Sequence, residues 1–258
     1  MIKNFLKTGW LLIGPMLIVL FFSIVIFPVT SFSPKPAVTT QFPNKIQEVL
    51  PSVVHIMCDQ WQGSGVALTE DIVVTARHVV DGVSYEISLN DDTKVNGIQA
   101  LSHKDYDIGF IRVVDPILKP AKFGDIEDCV LGQSVFIIGS PLGDRHFNSV
   151  SLGIISNLCL MLESYDCPTS MGWSLLWMTD SASYGGNSGS PVFSMDGIVR
   201  GILVGGYGEY ESVSYCVPVN VFMDDIENIK LMFAVNKYKI EKPKYQYTES
   251  REDYYIQD

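Results

Sequence analysis

The chain has 258 residues, 47% of them hydrophobic and 18% charged, with a formal net charge of -11. That length holds one large domain or two small ones with a full apolar core. The acidic balance, without a basic stripe interleaved with aromatics, excludes nucleic acid as an expected partner.

The N-terminus reads "MIKNFLKTGWLLIGPMLIVLFFSIVIFPVTSF", with no charged residue from Trp10 to Val29. A helix needs about 20 apolar residues to cross a bilayer, and Pro15 is tolerable in such a helix. Lys3 and Lys7 precede the run. Residues 1–9 are therefore expected in the cytoplasm, 10–29 in the membrane as a single-pass anchor, and the rest outside the cytoplasm. A cleaved secretory signal peptide is the competing reading. Its apolar region is normally shorter, about 7–15 residues, and ends in a small-x-small site, which "FPVTSFS" does not match.

Residues 30–44, rich in Pro, Ser and Thr, read as an extended linker. "KIQEVLPSVVHIMC" predicts a short helix stopped by Pro51, then a strand. From there to about Asn220 the chain is a series of short β-rich runs, among them "GVALT", "IVVTA", "VSYEISL", "IGFIRVV", "SVFIIGS", "SPVFS" and "IVRGILVGG". Gly, Asn, Asp and Pro punctuate them. This pattern predicts an all-β domain, a sandwich or barrels, over residues 45–235. Phe222, Ile226, Ile229 and Phe233 fall on one face of a closing helix, with Asn220 as its N-cap. Residues 236–258 mix both charge signs with many Tyr and read as an exposed, disordered tail.

Of the five cysteines, Cys159 and Cys167 are the pair to expect in a disulfide if the domain is extracytoplasmic. The bland reading is five buried thiols. No CxxC occurs and the histidines lack ligand spacing, so neither a metal site nor a cofactor is expected.

The stretch "GGNSGSP" holds Ser188 among glycines at 185, 186 and 189. Those glycines can take positive φ and turn the backbone tightly around the serine, aiming N–H groups into one concavity. A serine nucleophile also needs a base and a group that orients the base. Of the four histidines, His78 in "IVVTARHVVDG" follows a β-branched run at a strand end. His55 alternates inside an apolar strand, His146 sits in an exposed loop, and His103 is a rival in a polar loop. Asp107 in "YDIGFIRVV" borders an apolar strand, as an orienting carboxylate should; Asp105 is its rival. The order His, Asp, Ser supplies every role. An α/β-hydrolase is excluded, because it needs G-x-S-x-G, a following helix and the order Ser, Asp, His.

These stretches resemble the chymotrypsin-like serine proteases. "GSGVALTEDIVVTARHVVDG", "DYDIGFIRV" and "TDSASYGGNSGSPVFSMDGIVRGILVGG" are most similar to the HtrA (Deg) proteases and the glutamyl endopeptidases. The resemblance implies two packed six-stranded antiparallel β-barrels with a C-terminal helix and an active site between the barrels. It makes His78 the general base, Asp107 its orienting carboxylate and Ser188 the nucleophile. The N–H groups of Gly186 and Ser188 would form the oxyanion hole, and the strand around Val204, Gly205 and Gly206 would pair with an extended peptide. Ala182 stands where trypsin-type members carry a pocket Asp, and Leu203 where glutamyl endopeptidases carry a His. An apolar pocket for small to medium side chains is the expectation. Asn187 replaces the Asp that pairs with a new N-terminus in pancreatic enzymes, so that activation route is not expected. Val79 and Tyr184 replace two half-cystines. HtrA proteins carry a PDZ domain after the protease; here residues 236–258 follow, and PDZ-gated regulation is not expected. The expected function is a membrane-anchored serine endopeptidase acting on protein or peptide substrates. The alternatives are an inactive protease fold used as a binding module and an esterase sharing the same site.

Overall fold

The computed structural model describes residues 41–59, 61–143, 146–161, 175–207 and 210–235. The apolar run 10–29, the segment 30–40, Cys167 and the tail 236–258 lie outside them. Among the described residues no helix is long and apolar enough to cross a membrane.

The first helix, α1, spans Gln41–Val49 and so begins within the stretch read as linker. Phe42 lies edge-on to Phe136 at 5.2 Å, and that aromatic contact anchors the first helical turn. Pro51 then lies in a short 3-10 turn, Leu50–Ser52, which leads into the first strand.

Six strands form the first barrel: β1 Val53–Cys58, β2 Gln62–Ala67, β3 Ile72–Thr75, β4 Tyr85–Ser88, β5 Lys94–Ser102 and β6 Gly109–Val113. They close in the order β1-β2-β3-β6-β5-β4, so no strand edge is left open. The continuous apolar run of β3 is buried at every position, as befits a strand covered on both faces. The second unit comprises β7 Lys122–Phe123, β8 Ser134–Gly139, β9 Ser149–Met161, β10 Leu175–Thr179, β11 Pro191–Ser194, β12 Ile198–Tyr207 and β13 Tyr210–Pro218. The strand order is β11-β8-β9-β10-β13-β12-β7, and a β11–β12 pairing closes the six larger strands into a second barrel. The short β7 adds to β12 in parallel. The two expected antiparallel barrels are present. Trp177, fully buried with Ile137, Ile155, Leu203 and Cys216, fills the interior of the second.

The closing helix departs from expectation. It is two pieces, α2 Asn220–Met223 and α3 Ile226–Val235, separated at Asp224–Asp225. The N-cap position of α2 is Val219, without a side-chain cap bond; Asn220 does not cap. The apolar face survives the break, since Phe222, Ile229 and Phe233 are buried. Phe222 meets Phe110 of β6 at 5.7 Å and Phe123 of β7 at 6.2 Å, both edge-to-face. It thereby ties the first barrel to β7. Phe222→Ala is expected to cost about 3–5 kcal/mol through transfer and cavity terms, read as a lowered urea midpoint at unchanged slope.

Cys58, Cys129 and Cys216 are buried and form no disulfide among the described residues. Burial pushes the Cys216 thiol well above its ordinary pKa, which makes it a small apolar core group. The expected Cys159–Cys167 pair lies outside the described side chains.

Candidate active site

His78 and Asp107 are brought together by strand register. β3 and β6 are antiparallel neighbours with Thr75 opposite Gly109. Residues just after β3 and just before β6 must therefore share one end of the barrel. After β3 the chain makes a 3-10 turn, Arg77–Asp81, carrying His78. A Cβ at Gly109 would collide with Val80 at 2.7 Å, so glycine lets this turn sit directly on the start of β6. Asp107 is buried. Its Oδ2 lies 2.8 Å from His78 Nδ1, and its Oδ1 accepts the His78 backbone N–H at 3.0 Å. One carboxylate thus grips both the ring and the main chain of the histidine. A carboxylate only accepts, so the ring proton belongs on Nδ1 and leaves Nε2 as an acceptor.

The rival residues serve the loop itself. His103 Nδ1 accepts the backbone N–H groups of Asp105 and Tyr106 at 3.1 and 3.2 Å, and burial lowers its pKa. Asp105 is exposed beside Lys104. His55 is buried, with Nε2 2.9 Å from Gln62 Oε1, and His146 is exposed.

Ser188 sits in the turn between β10 and β11. Its carbonyl accepts the Ser64 N–H at 2.8 Å, and the Gly189 N–H donates to Leu203 O at 2.7 Å. Gly189 has φ +87, and a Cβ there would fall onto Thr75 Oγ1 and Ser64 O. Only glycine allows the turn to lie so close to the end of β3. Gly63 of β2 closes the arrangement: a Cβ on it would be 2.7 Å from Val79, the neighbour of His78, and 3.0 Å from Ser188 O. The His78 turn and the Ser188 turn therefore meet over Gly63, where the two barrels face each other.

The N–H groups are oriented by the turn Tyr184–Asn187. Asn187 N–H donates to Tyr184 O at 2.9 Å, and Gly186 has φ +99. Positive φ at the third position defines a type II turn. Gly185 occupies the second position of that turn and is not among the glycines of positive φ. Among the described residues, no backbone carbonyl takes the N–H of Gly186 or Ser188. Two donors at that spacing, on a turn beside a serine, can stabilise an oxyanion.

Beside this turn lies a cavity of about 340 Å³ lined largely by apolar atoms from Ile137, Pro141, Val150, Ala182 and Tyr184. Of the residues expected to bind substrate, Ala182 lines it. Leu203 instead packs in the core of the second barrel, and Val204 in the core cluster that includes the first. Register shifts in the β12–β13 pairing follow Leu203; beyond them Gly205 is half-buried and Gly206 exposed. Sequence reasoning missed Ser64 and the turn at 140–143, whose signal was the Gly-Ser-Pro stop of β8.

A trypsin-like peptidase domain model matches residues 63–202, a span holding the histidine, carboxylate and serine just described. The chain belongs to the trypsin-like peptidase family. Among curated members it is 34% identical over 173 residues to a probable periplasmic serine endoprotease DegP-like from Halomonas elongata, covering 65% of this chain and 35% of that protein. It is 30% identical over 191 residues to the serine protease Do-like HtrA of Bacillus subtilis, covering 70% and 41%. This trypsin-like peptidase therefore spans about a third to two fifths of those relatives' lengths. Its fold matches the HtrA-type protease AlgW with tripeptide at a TM-score of 0.64 and 20% identity, over 73% of this chain and 63% of that one. It matches Deg5 at 0.60 and 22% identity, over 73% and 93%.

Proposed function

We propose that the chain is a serine endopeptidase in which Ser188 attacks the peptide carbonyl, His78 takes the serine proton and later returns it to the leaving amine, and Asp107 holds the imidazole. The N–H groups of Gly186 and Ser188 receive the negative charge of the tetrahedral intermediate. The observation that carries this reading is the double contact of Asp107 with His78 beside the Ser188 turn. It gives the imidazole the tautomer a general base requires. The serine acylates as the amine leaves, and water, activated by the same His78, releases the acid product.

Substrate preference follows from the cavity. Its lining is mostly apolar, with His146, Ser149, Ser151 and Asn187 as its polar members, and among the described residues it holds no Asp, Glu, Lys or Arg; cleavage after Val, Ala, Leu or Met is the preference it supports. Peptide backbone would lie along Val204–Gly206 at the emerging end of β12. A peptide-library digest tests the activity: the reading predicts new termini after small to medium apolar residues. An inactive binding module predicts none, and an esterase would turn over acyl esters while leaving peptides intact.

The protease domain works outside the cytoplasm, held by residues 10–29 as a single-pass anchor. The length of the uncharged run and the preceding lysines support this. Intact-mass measurement of membrane-extracted protein is expected to show the full N-terminus; a mature start near residue 30 would replace the anchor with a cleaved signal peptide.

A further inference from the structure

Ser64 lies on β2, in the first barrel, and is fully buried, yet every polar atom it has is engaged across the site. Its N–H donates to Ser188 O at 2.8 Å. Its hydroxyl donates to Gly186 O at 2.8 Å and accepts the Ser140 N–H at 2.9 Å. Its carbonyl accepts from Thr75 Oγ1 at 2.6 Å. The partners are the nucleophile turn, the turn after β8, and β3, the strand that leads to the His78 turn.

The consequence concerns one peptide plane. The Gly185 carbonyl is held by the Leu142 N–H at 2.8 Å, in a turn where Leu142 itself has φ +57. Peptides here are trans, so a carbonyl drawn toward the 140–143 turn sends the Gly186 N–H to the opposite side. The next carbonyl, Gly186 O, is held by Ser64. The 140–143 turn is itself tied to Ser64 through the Ser140 N–H. A Cβ on Gly186 would lie 2.6 Å from Ser140 O and 3.3 Å from Gln62 Nε2, so the turn has little room to rotate as a body. If the Gly185–Gly186 peptide flipped, its N–H would reverse direction, and one proposed oxyanion donor would be lost.

We infer that Ser64 is the positioning residue of the oxyanion peptide: its hydroxyl, as donor to Gly186 O and acceptor from Ser140 N–H, holds the Gly186 N–H in place. Only a small group with both capacities serves. Alanine has neither, and leaves a buried carbonyl and a buried N–H unpaired. This rests on the reading that Ser188 is the nucleophile and the Gly186 N–H an oxyanion donor.

The test compares wild-type full chain with Ser64→Ala and Ser64→Cys on one peptide substrate, together with an acetyl-tripeptide aldehyde ending in Val and the corresponding acid. Loss of one oxyanion donor lowers kcat by about 10²–10³. An indirectly loosened donor is expected to lower it about 10- to 100-fold. Ser64→Ala should show that fall with KM within about threefold. Its affinity for the aldehyde, which forms a tetrahedral adduct, should fall in step with kcat/KM, while affinity for the acid stays the same. Ser64→Cys, with a weak donor and acceptor, should fall between the two. A folded Ser64→Ala that keeps kcat and aldehyde affinity overturns the inference, as does one that loses aldehyde and acid affinity equally. Should Ser64→Ala not fold, Ser64→Cys carries the test: unchanged kcat and aldehyde affinity in it overturn the inference. A wild type that neither cleaves peptides nor binds the aldehyde would instead overturn the underlying reading.

Discussion

Ser188→Ala is expected to lower peptide hydrolysis about 10⁶-fold, leaving only the residual acceleration from binding and the oxyanion donors. The hydroxyl is the only protein group in the proposed mechanism that forms a bond to carbon. Removing it leaves His78 with no proton to take, so His78→Ala should cost about as much, and the double variant little more. Folding should barely change. Ser188 is half-buried, and the bonds that fix its turn are made by its own main chain and by Gly189, which alanine preserves. Circular dichroism and thermal midpoints matching wild type, beside hydrolysis near background, are the expected result. Retention of even a tenth of the activity would mean another nucleophile.

Asp107→Asn should cost about 10⁴ in kcat. The asparagine can still accept the His78 main-chain N–H through its oxygen, so the 3-10 turn should keep its place. Its amide nitrogen, however, donates. Facing His78 Nδ1, it favours the tautomer with the proton on Nε2, and that ring cannot accept the serine proton. Asp105→Asn should leave activity within about twofold, because that carboxylate is exposed beside Lys104 and surface pairs of this kind contribute little. The reverse outcome, with Asp105→Asn inactive and Asp107→Asn active, would move the orienting role to the other carboxylate.

How much of this was legible in the sequence depends on range. The turns carrying His78 and Ser188 were legible because their signals are local: a β-branched run ending at a turn, and glycines packed around a serine. Asp107 was singled out because it borders the apolar run "IGFIRVV"; that this strand pairs with the strand His78 follows is long-range information with no local signal. The helix at 220–235 was half legible. Its apolar spacing survives, but Asp224 and Asp225 interrupt the backbone, and Asn220 follows a residue already helical. Leu203 was assigned to the pocket from resemblance. Its side chain belongs to the second-barrel core, and the register shift after it redirects the strand's faces. The clamp at Ser64 left no local trace, for a serine in a strand looks the same whether it faces a core or bridges to residues 76 and 122 positions away. The apolar run 10–29 falls outside the described residues, and its reading as an anchor stands on its composition alone.

The most direct measurement of the central claim is mass mapping of the full chain after treatment with a fluorophosphonate. The account predicts a single adduct on the peptide containing Ser188, formed in wild type and absent from His78→Ala, where no base remains to activate the hydroxyl. No adduct under conditions that label related proteases, or an adduct on another serine, would contradict it.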